Sequence, residues 1–209
     1  MNYKNIYTDL EPNRNFYTVW AKLPYDAEKF IHDYLFPIKD SLIWASTYTG
    51  DIARKTPHIT LRYLGYLDEI NKEKIREDVV RFKEILKGIN SFTLELGNIE
   101  VFTKYLNGKL VKSRLTWEIL NADVIKEIHK KLLNVAGYDF FSNLEGENFH
   151  PHISLGNIDP TNEENMNKVK EYIEKNKVEN QKYLIKDIEL NLCGETIPLL
   201  DWYLFIHFF

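Results

Sequence analysis

The chain has 209 residues, 44% hydrophobic and 28% charged, which is typical of a folded protein rather than a disordered one. Its net charge of −4 argues against sequence-independent binding to duplex DNA, which needs a large basic surface. The single Cys193 excludes an internal disulfide and any all-cysteine metal site, and it fits a reducing, cytoplasmic compartment. No stretch approaches the about 20 apolar residues of a membrane helix, so we expect no membrane association.

The first half of the chain alternates strand-like and helix-like segments. Residues 16–23 are rich in β-branched and aromatic side chains and predict a strand. Asp26 is placed to cap a short helix that Pro37 ends. A further strand is predicted over 42–49, and helical spacing of apolar residues predicts a helix over 71–87.

The second half continues the alternation. The remaining predicted strands cover residues 91–96, 99–105, 110–120, 183–193 and 202–209. Asn107-Gly108 is typical of a type I′ hairpin turn. Helices are predicted over 122–136 and up to residue 175, the second opened by a capping box of Thr161 and Glu164. About eight strands and four helices indicate an α+β fold with antiparallel sheets, in one domain spanning 1–209.

One five-residue segment occurs twice. PHITL over residues 57–61 returns as PHISL over residues 151–155, with threonine to serine the one change. A repeat at this separation indicates two related lobes rather than a solenoid, whose repeats are shorter.

The repeat predicts a particular set of side chains in one place. Side chains alternate between the faces of a strand, so His58 and Thr60 share one face, as do His152 and Ser154. If the lobes face each other, two imidazoles and two hydroxyls meet in a groove. One imidazole can take a proton from water or a ribose hydroxyl while the other protonates a leaving oxygen, and the hydroxyls can donate to phosphate oxygens. This set suits attack on a phosphodiester.

Two other chemistries were weighed for the same residues. A zinc site is the nearer alternative because His150 and His152 form a His-Pro-His sequence, but hydroxyl residues stand where further ligands are expected. A serine-histidine-aspartate triad is disfavoured because no Gly-x-Ser-x-Gly segment is present. We therefore expect neither a metal nor a cofactor.

The segments PHITLRYLG and PHISLGN resemble the paired His-x-Thr/Ser motifs of the two-histidine (2H) phosphoesterase superfamily, which includes LigT, or 2′-5′ RNA ligase, and cyclic phosphodiesterase proteins. The resemblance spans essentially the whole chain. It implies a bilobal fold of two antiparallel sheets flanked by helices, with pseudo-twofold symmetry and a metal-independent site in a central groove. His58, Thr60, His152 and Ser154 match the four catalytic positions, and the resemblance favours His152 as base and His58 as acid.

The resemblance also implies the substrates. Members act on 2′,3′-cyclic phosphates, 2′-5′ linkages, RNA ends or cyclic oligonucleotides, so the expected partner is a nucleotide or short RNA, bound by a monomer. A nuclease that degrades 2′-5′ oligoadenylate or cyclic oligonucleotide signals stays open, as does an RNA-end binding module without catalysis. Many relatives carry a basic residue shortly after the second motif, where this chain has Asn157.

Further substrate contacts were predicted from position alone. Arg62, two residues after Thr60, is expected to continue the groove-facing row, where it can pair with phosphate or be an ordinary surface arginine. Trp117 and Tyr48 are candidates to stack on a base, with core packing as the alternative for Trp117, in a chain with 14% aromatic residues.

Other charged residues and histidines are expected to have ordinary structural roles rather than to contact a substrate. Arg54 and Lys55 are expected on a solvated loop, and His129 is expected to be exposed on its helix. The basic residues near the hairpin are interpreted as a solvated edge, with guidance of a nucleic acid as the alternative. They are Lys104, Lys109, Lys112 and Arg114.

Overall fold

Strands and helices alternate along the chain, as the sequence predicts for an α+β protein. The computed structural model describes residues 16–45, 56–135, 149–192 and 195–200. The helices are α1 (Tyr25–Leu35), α2 (Lys72–Leu86), α3 (Asp123–Leu133) and α4 (Glu163–Lys175), with 3-10 helices at Phe36–Ser41 and Leu67–Glu69. The strands are β1 (Phe16–Lys22), β2 (Trp44–Ala45), β3 (His58–Tyr66), β4 (Phe92–Leu106), β5 (Lys109–Ile119), β6 (Ile153–Ile158), β7 (Gln181–Ile185), β8 (Asp187–Asn191) and β9 (Thr196–Pro198).

The strands form one antiparallel sheet. Its order is β7-β4-β5-β6-β3-β1-β8-β9, and β2 pairs with β6. Two sheets were predicted, but the described strands are continuous because β3 and β6 pair through Ile59 and Ile153. Of the nine strands, eight follow this order with four on each side of the junction, and β2 lies outside it, so the two motif strands are at the centre of the sheet. Pseudo-twofold symmetry of the whole chain stays a prediction.

The sheet is curled. Only Lys186 separates β7 from β8. Yet β7 pairs with β4 at one end of the sheet, and β8 pairs with β1 near the other end. The single strand predicted over 183–193 is therefore two strands, and the two ends of the sheet must approach each other to accept them.

The helices cover the buried face of the sheet. Phe30 of α1 stacks on Trp117 of β5 with ring centroids 5.1 Å apart. Tyr172 of α4 donates a 2.9 Å hydrogen bond to the carbonyl of Tyr34 in α1. On the other half, α3 packs against both β3 and α2. The helices thus leave the opposite face of the motif strands available for chemistry.

Local signals in the sequence set most element ends. Asn107 and Gly108 have φ of 49° and 76°, as a type I′ turn requires. Asn71 caps α2 by accepting from the Lys74 backbone amide at 2.8 Å. The capping box predicted at Thr161 is wrong, because Asn162 caps α4 instead.

Among the described residues, no helix is long and apolar enough to cross a membrane.

Trp117 is a core residue, and this leads to a stability prediction. Its ring is fully buried, and its indole N–H donates a 2.9 Å hydrogen bond to the carbonyl of Gly97. Replacing Trp117 with alanine should lower the free energy of unfolding by about 3–5 kcal/mol, because a cavity and an orphaned carbonyl remain. Urea unfolding measures this, with Phe36→Ala, exposed by 57%, as the control. A loss below about 1 kcal/mol would contradict the core assignment.

Candidate active site

The two repeated segments lie side by side at the centre of the sheet. Ile59 of β3 is directly opposite Ile153 of β6 in an antiparallel pair. The aliphatic positions of both segments are fully buried: Ile59, Leu61, Ile153 and Leu155. The polar positions are half-buried on the other face: His58, Thr60, His152 and Ser154. The alternation predicted from the sequence is therefore observed.

The strand register brings each histidine next to the hydroxyl of the other segment. Continuing the Ile59–Ile153 pairing by one residue in each direction sets His58 across from Ser154 and Thr60 across from His152. Residues diagonal across such a pair have backbones about 7–8 Å apart, which is the relation between the two histidines. The imidazoles are therefore close enough to act on one small group between them.

Both imidazoles are held in the same tautomer. Nδ1 of His58 lies 2.7 Å from the carbonyl oxygen of Thr56, and Nδ1 of His152 lies 3.0 Å from that of His150. A carbonyl accepts only, so each Nδ1 carries the hydrogen and donates it. In each segment a proline stands between the histidine and its acceptor, and a proline favours an extended conformation at the residue before it. Nε2 is therefore the nitrogen of each ring that can accept or give a proton in a reaction.

Arg114 of β5 supplies a positive charge at the second segment. Its Nη1 donates to Oγ of Ser154 at 3.3 Å and lies 3.5 Å from Nε2 of His152. Its Nε donates to Oδ1 of Asn157 at 3.4 Å. A guanidinium is a fork of donors suited to phosphate oxygens. Sequence reasoning noted Arg114 only as part of a basic run, because its position in the site depends on the register of β5 against β6.

The surroundings of His152 favour its neutral form. Burial lowers the pKa of His152 below its ordinary value of 6.5, although the hydrogen bond to the His150 carbonyl acts in the opposite direction. The positive charges of Arg114 and Lys112 lower this pKa further, as does His150. At neutral pH, Nε2 of His152 is therefore a lone-pair acceptor beside a fixed cation.

An indole ring supports His58. Trp20 of β1 lies against the imidazole with ring centroids 4.2 Å apart and planes tilted by 39°. The indole N–H donates a 3.0 Å hydrogen bond to Glu189, which fixes the ring. Trp20 is opposite Thr60 in the β1–β3 pair, so both lie on the site's face. The sequence predicted the strand containing Trp20 but gave no signal for this contact.

The chain is similar to a known protein family over most of its length. The family model described as "2′-5′ RNA ligase superfamily" matches residues 24–190. The chain belongs to the 2′-5′ RNA ligase superfamily. The match confirms the resemblance to the 2H phosphoesterases, and membership supports a phosphodiesterase type of activity.

Two further comparisons add little to the superfamily match. The structure titled "Structure of Kluyveromyces marxianus Usb1" is similar with a TM-score of 0.47 and 12% identity, over 89% of this chain and 98% of that one. The search of curated proteins gives no significant match.

Arg114 bears on the one departure from the superfamily pattern. Asn157 stands where many relatives have a basic residue after the second motif. Asn157 is directly opposite Arg114, and the pair is joined by the hydrogen bond described above. Arg114 of the neighbouring strand β5 therefore brings a positive charge beside Asn157, the position at which many relatives carry a basic residue.

Arg62 does not continue the row of site residues, so its predicted placement is wrong. Thr60 pairs with Trp20 and Arg62 pairs with Val19, which leaves Leu61 as a β-bulge. The bulge turns Arg62 to the face that carries the buried Val19, and its side chain is 1% exposed. Arg62 is therefore held within the protein rather than presented to a phosphate in the groove.

The stacking candidates are also not at the site. Trp117 is fully buried between Phe30 and Tyr183, so the prediction that it stacks on a base is wrong. Tyr48 lies outside the described residues, as do Arg54 and Lys55, and their roles stay predictions. Trp20 is the aromatic ring found beside a motif histidine instead.

His129 is buried rather than exposed, so that prediction is wrong as well. Its imidazole is 3% exposed and stacks on Phe149 with ring centroids 3.7 Å apart. Its Nδ1 donates to the carbonyl of Leu61, the bulged residue of the first segment. The helix position was predicted correctly, but not the packing of α3 against β3.

The described residues were also searched for metal-binding geometry. They contain no group of three or more histidine, cysteine, aspartate or glutamate side chains placed to hold a metal ion. The His-Pro-His sequence brings His152 Nδ1 to the backbone of His150 rather than to its ring.

Proposed function

We propose that this protein is a metal-independent phosphodiesterase that hydrolyses 2′,3′-cyclic phosphates or 2′-5′-linked RNA, using His152 as general base and His58 as general acid. One observation carries the proposal. The strand register sets His58 and His152 diagonally across the β3–β6 pair, and Nδ1 of each donates to a backbone carbonyl, which makes Nε2 the nitrogen of each ring that can exchange a proton with a substrate. Membership of the superfamily supports the same class of reaction.

The neighbouring donors suit the charge that develops on phosphorus. Thr60, Ser154 and Arg114 can donate hydrogen bonds to the non-bridging oxygens as negative charge builds up in the transition state. Arg114 already contacts Ser154 and lies beside His152, so no rearrangement is needed to bring the cation to the reacting group.

For a 2′,3′-cyclic phosphate, a water oxygen forms the new bond to phosphorus while the bond from phosphorus to the 3′ oxygen breaks. Nε2 of neutral His152 accepts the proton of the attacking water, and His58, which acts as the imidazolium with a proton on both ring nitrogens, gives its Nε2 proton to the leaving 3′ oxygen. The product is a 2′-phosphate with a free 3′ hydroxyl. Proton exchange with water returns both imidazoles to their starting states.

A turnover screen in the presence of EDTA tests the proposal. Its substrates are 2′,3′-cyclic mononucleotides, 2′-5′ and 3′-5′ dinucleotides, RNA ending in a 2′,3′-cyclic phosphate, and cyclic dinucleotides. We expect turnover of a 2′,3′-cyclic or 2′-5′ substrate that EDTA does not abolish. Turnover of cyclic or 2′-5′ oligonucleotide signals alone would favour a signal-degrading nuclease. Binding without turnover of any substrate would favour a silent RNA-end module and contradict the proposal.

The lowered pKa of His152 gives the reaction a predicted pH dependence. A general base must be unprotonated, so kcat/KM should decrease as the pH decreases through the pKa of His152. That pKa is below 6.5, so the acidic limb of the profile should have its midpoint below pH 6.5. Measuring kcat/KM from pH 4.5 to 9 checks this, with folding monitored at each pH. A midpoint at or above 6.5 would contradict the assignment of His152 as the base.

A further inference from the structure

An exposed aromatic ring lies on the same face of the sheet as the candidate site. Phe102 of β4 is 55% exposed. It is directly opposite Arg114 in the β4–β5 pair, and residues directly opposite each other project from the same face. Arg114 in turn contacts Ser154 and lies beside His152. Phe102 is therefore an apolar ring beside the cation of the site.

Two lysines follow on the same face. Lys104 and Lys112 are directly opposite each other, two residues farther along β4 and β5 than the Phe102–Arg114 pair. Two ammonium groups at facing positions repel, and a phosphate group between them lowers that repulsion. The charge of Lys112 also contributes to lowering the pKa of His152, which indicates that this surface and the site share one electrostatic field. Acidic residues on this face are Glu100, opposite Thr116, and Glu118, two residues after Thr116 and farther from the lysines.

The dimensions fit a nucleotide adjoining the one that reacts. Neighbouring strands are about 4.8 Å apart, so Phe102 on β4 is about 10 Å across the sheet from the strand that carries Ser154. Alternate residues along a strand are about 6.7 Å apart, which separates the Arg114 level from the Lys112 level. The ring of Phe102 therefore lies beyond the reacting phosphate, and Lys104 and Lys112 lie farther along β4 and β5.

We propose that Phe102, Lys104 and Lys112 form a binding surface for single-stranded RNA, which makes an oligonucleotide rather than a mononucleotide the preferred substrate. The base next to the reacting nucleotide stacks on Phe102, and the following phosphates lie at Lys112 and Lys104. Aromatic rings alternating with cations are the usual means of binding single strands without sequence preference. This inference rests on the proposed function, since it concerns the same site.

The first test compares two substrates that end in the same 2′,3′-cyclic phosphate, a mononucleotide and a tetranucleotide. Phe102→Ala should raise KM for the tetranucleotide about tenfold, with kcat and all mononucleotide constants within twofold. Phe102→Trp should keep the KM for the tetranucleotide near the wild-type value, because the larger ring stacks at least as well. Phe36→Ala is the matched control, a phenylalanine of similar exposure (57%) in the 3-10 helix after α1.

The second test is the salt dependence for the tetranucleotide. Each phosphate contact on a single strand contributes about 0.7 to the slope of log affinity against log salt. Lys104→Ala should lower the slope by about this amount, whereas Lys175→Ala on α4 should leave it unchanged. These measurements are made at pH 8, away from the acidic limb.

The outcomes separate this inference from the proposed function. Equal effects of Phe102→Ala on both substrates, or no effect on either, would overturn the RNA surface while leaving the phosphodiesterase intact. If the wild-type protein turns over neither substrate, fluorescence anisotropy with a labelled single-stranded RNA tetranucleotide decides the inference alone. Weaker binding by Phe102→Ala than by Phe36→Ala then supports it, and equal binding overturns it.

Discussion

Replacing His152 with asparagine should lower kcat on a 2′,3′-cyclic or 2′-5′ substrate by about 10²–10⁴-fold, the range expected for loss of one general acid or base. Asparagine is chosen because its side-chain amide can still donate to the carbonyl that now accepts from Nδ1 of His152. The variant therefore keeps the local backbone contact and removes Nε2. His58→Asn makes the same change against the Thr56 carbonyl and should cost a similar factor.

The pH profiles of the two variants distinguish base from acid. If His152 is the base, the residual activity of His152→Asn should lose the acidic limb, and that of His58→Asn should lose the alkaline limb. A substrate with a nitrophenolate leaving group gives a second assignment. This group leaves without a proton, so the loss in His58→Asn should shrink with it, while the loss in His152→Asn should persist.

A third histidine provides the control. His32 lies on α1 and contacts Asp33 at 3.2 Å, so His32→Asn should leave kcat and the profile unchanged. Circular dichroism and the unfolding midpoint confirm that each variant is folded. Folded His58→Asn and His152→Asn proteins with wild-type turnover would remove the two histidines from the mechanism.

The common face of the polar residues in each repeated segment can be predicted from the sequence because strand alternation is local. His58 and Thr60 are two residues apart in an extended chain, so their common face follows from backbone geometry alone. The pairing of Ile59 with Ile153 is not local, but two copies of one segment suggested that they meet. For this reason the sequence predicts that the motif side chains share a face, and it does not predict the side chains that contact them.

The errors come from packing between distant parts of the chain. Extending the two-residue period predicts Arg62 in the exposed row, but a bulge at Leu61 puts Arg62 on the opposite face. Trp117 fits the alternation of its strand whether the face that carries it is buried or exposed. The packing of Phe30 in α1 against the indole ring shows that this face is buried. A histidine on a helix is usually expected to be exposed. His129 is buried because its Nδ1 bonds the carbonyl of the bulged residue Leu61, and the sequence does not show that bulge.

Arg114 shows the same limit for the site itself. It lies in a basic run at the hairpin, and periodicity alone makes it an edge residue. The β5–β6 register sets it opposite Asn157, and a register shift between Leu115 and Thr116 brings Thr116 opposite Ser154. The cation of the site was thus supplied by a strand that carries no motif.

Replacing Arg114 with alanine should lower kcat by about 10²-fold, because a fixed donor to the developing charge on phosphate is lost. Arg114→Lys should recover only part of this loss, since an ammonium is a single point of charge where the guanidinium is a planar fork. Asn157→Ala, which leaves the guanidinium but removes one of its contacts, should have a smaller effect than either.

The same variant should move the acidic limb of the pH profile. Burial is the main cause that lowers the pKa of His152, and the charge of Arg114 lowers it further. Removing that charge lets the pKa rise, so the midpoint of the acidic limb should shift to higher pH in Arg114→Ala and stay near the wild-type value in Arg114→Lys. A residue that served packing alone would change kcat or stability without this shift.

Arg81 on the exposed side of α2 gives the matched control, and Arg81→Ala should change neither kcat nor the limb. A folded Arg114→Ala protein with kcat/KM within twofold of wild type and an unmoved limb would show that the guanidinium takes no part. A loss of activity with an unmoved limb would retain Arg114 as a phosphate contact and remove its influence on His152. The observed contacts to Ser154 and His152 predict that both effects occur together, because one guanidinium group makes both.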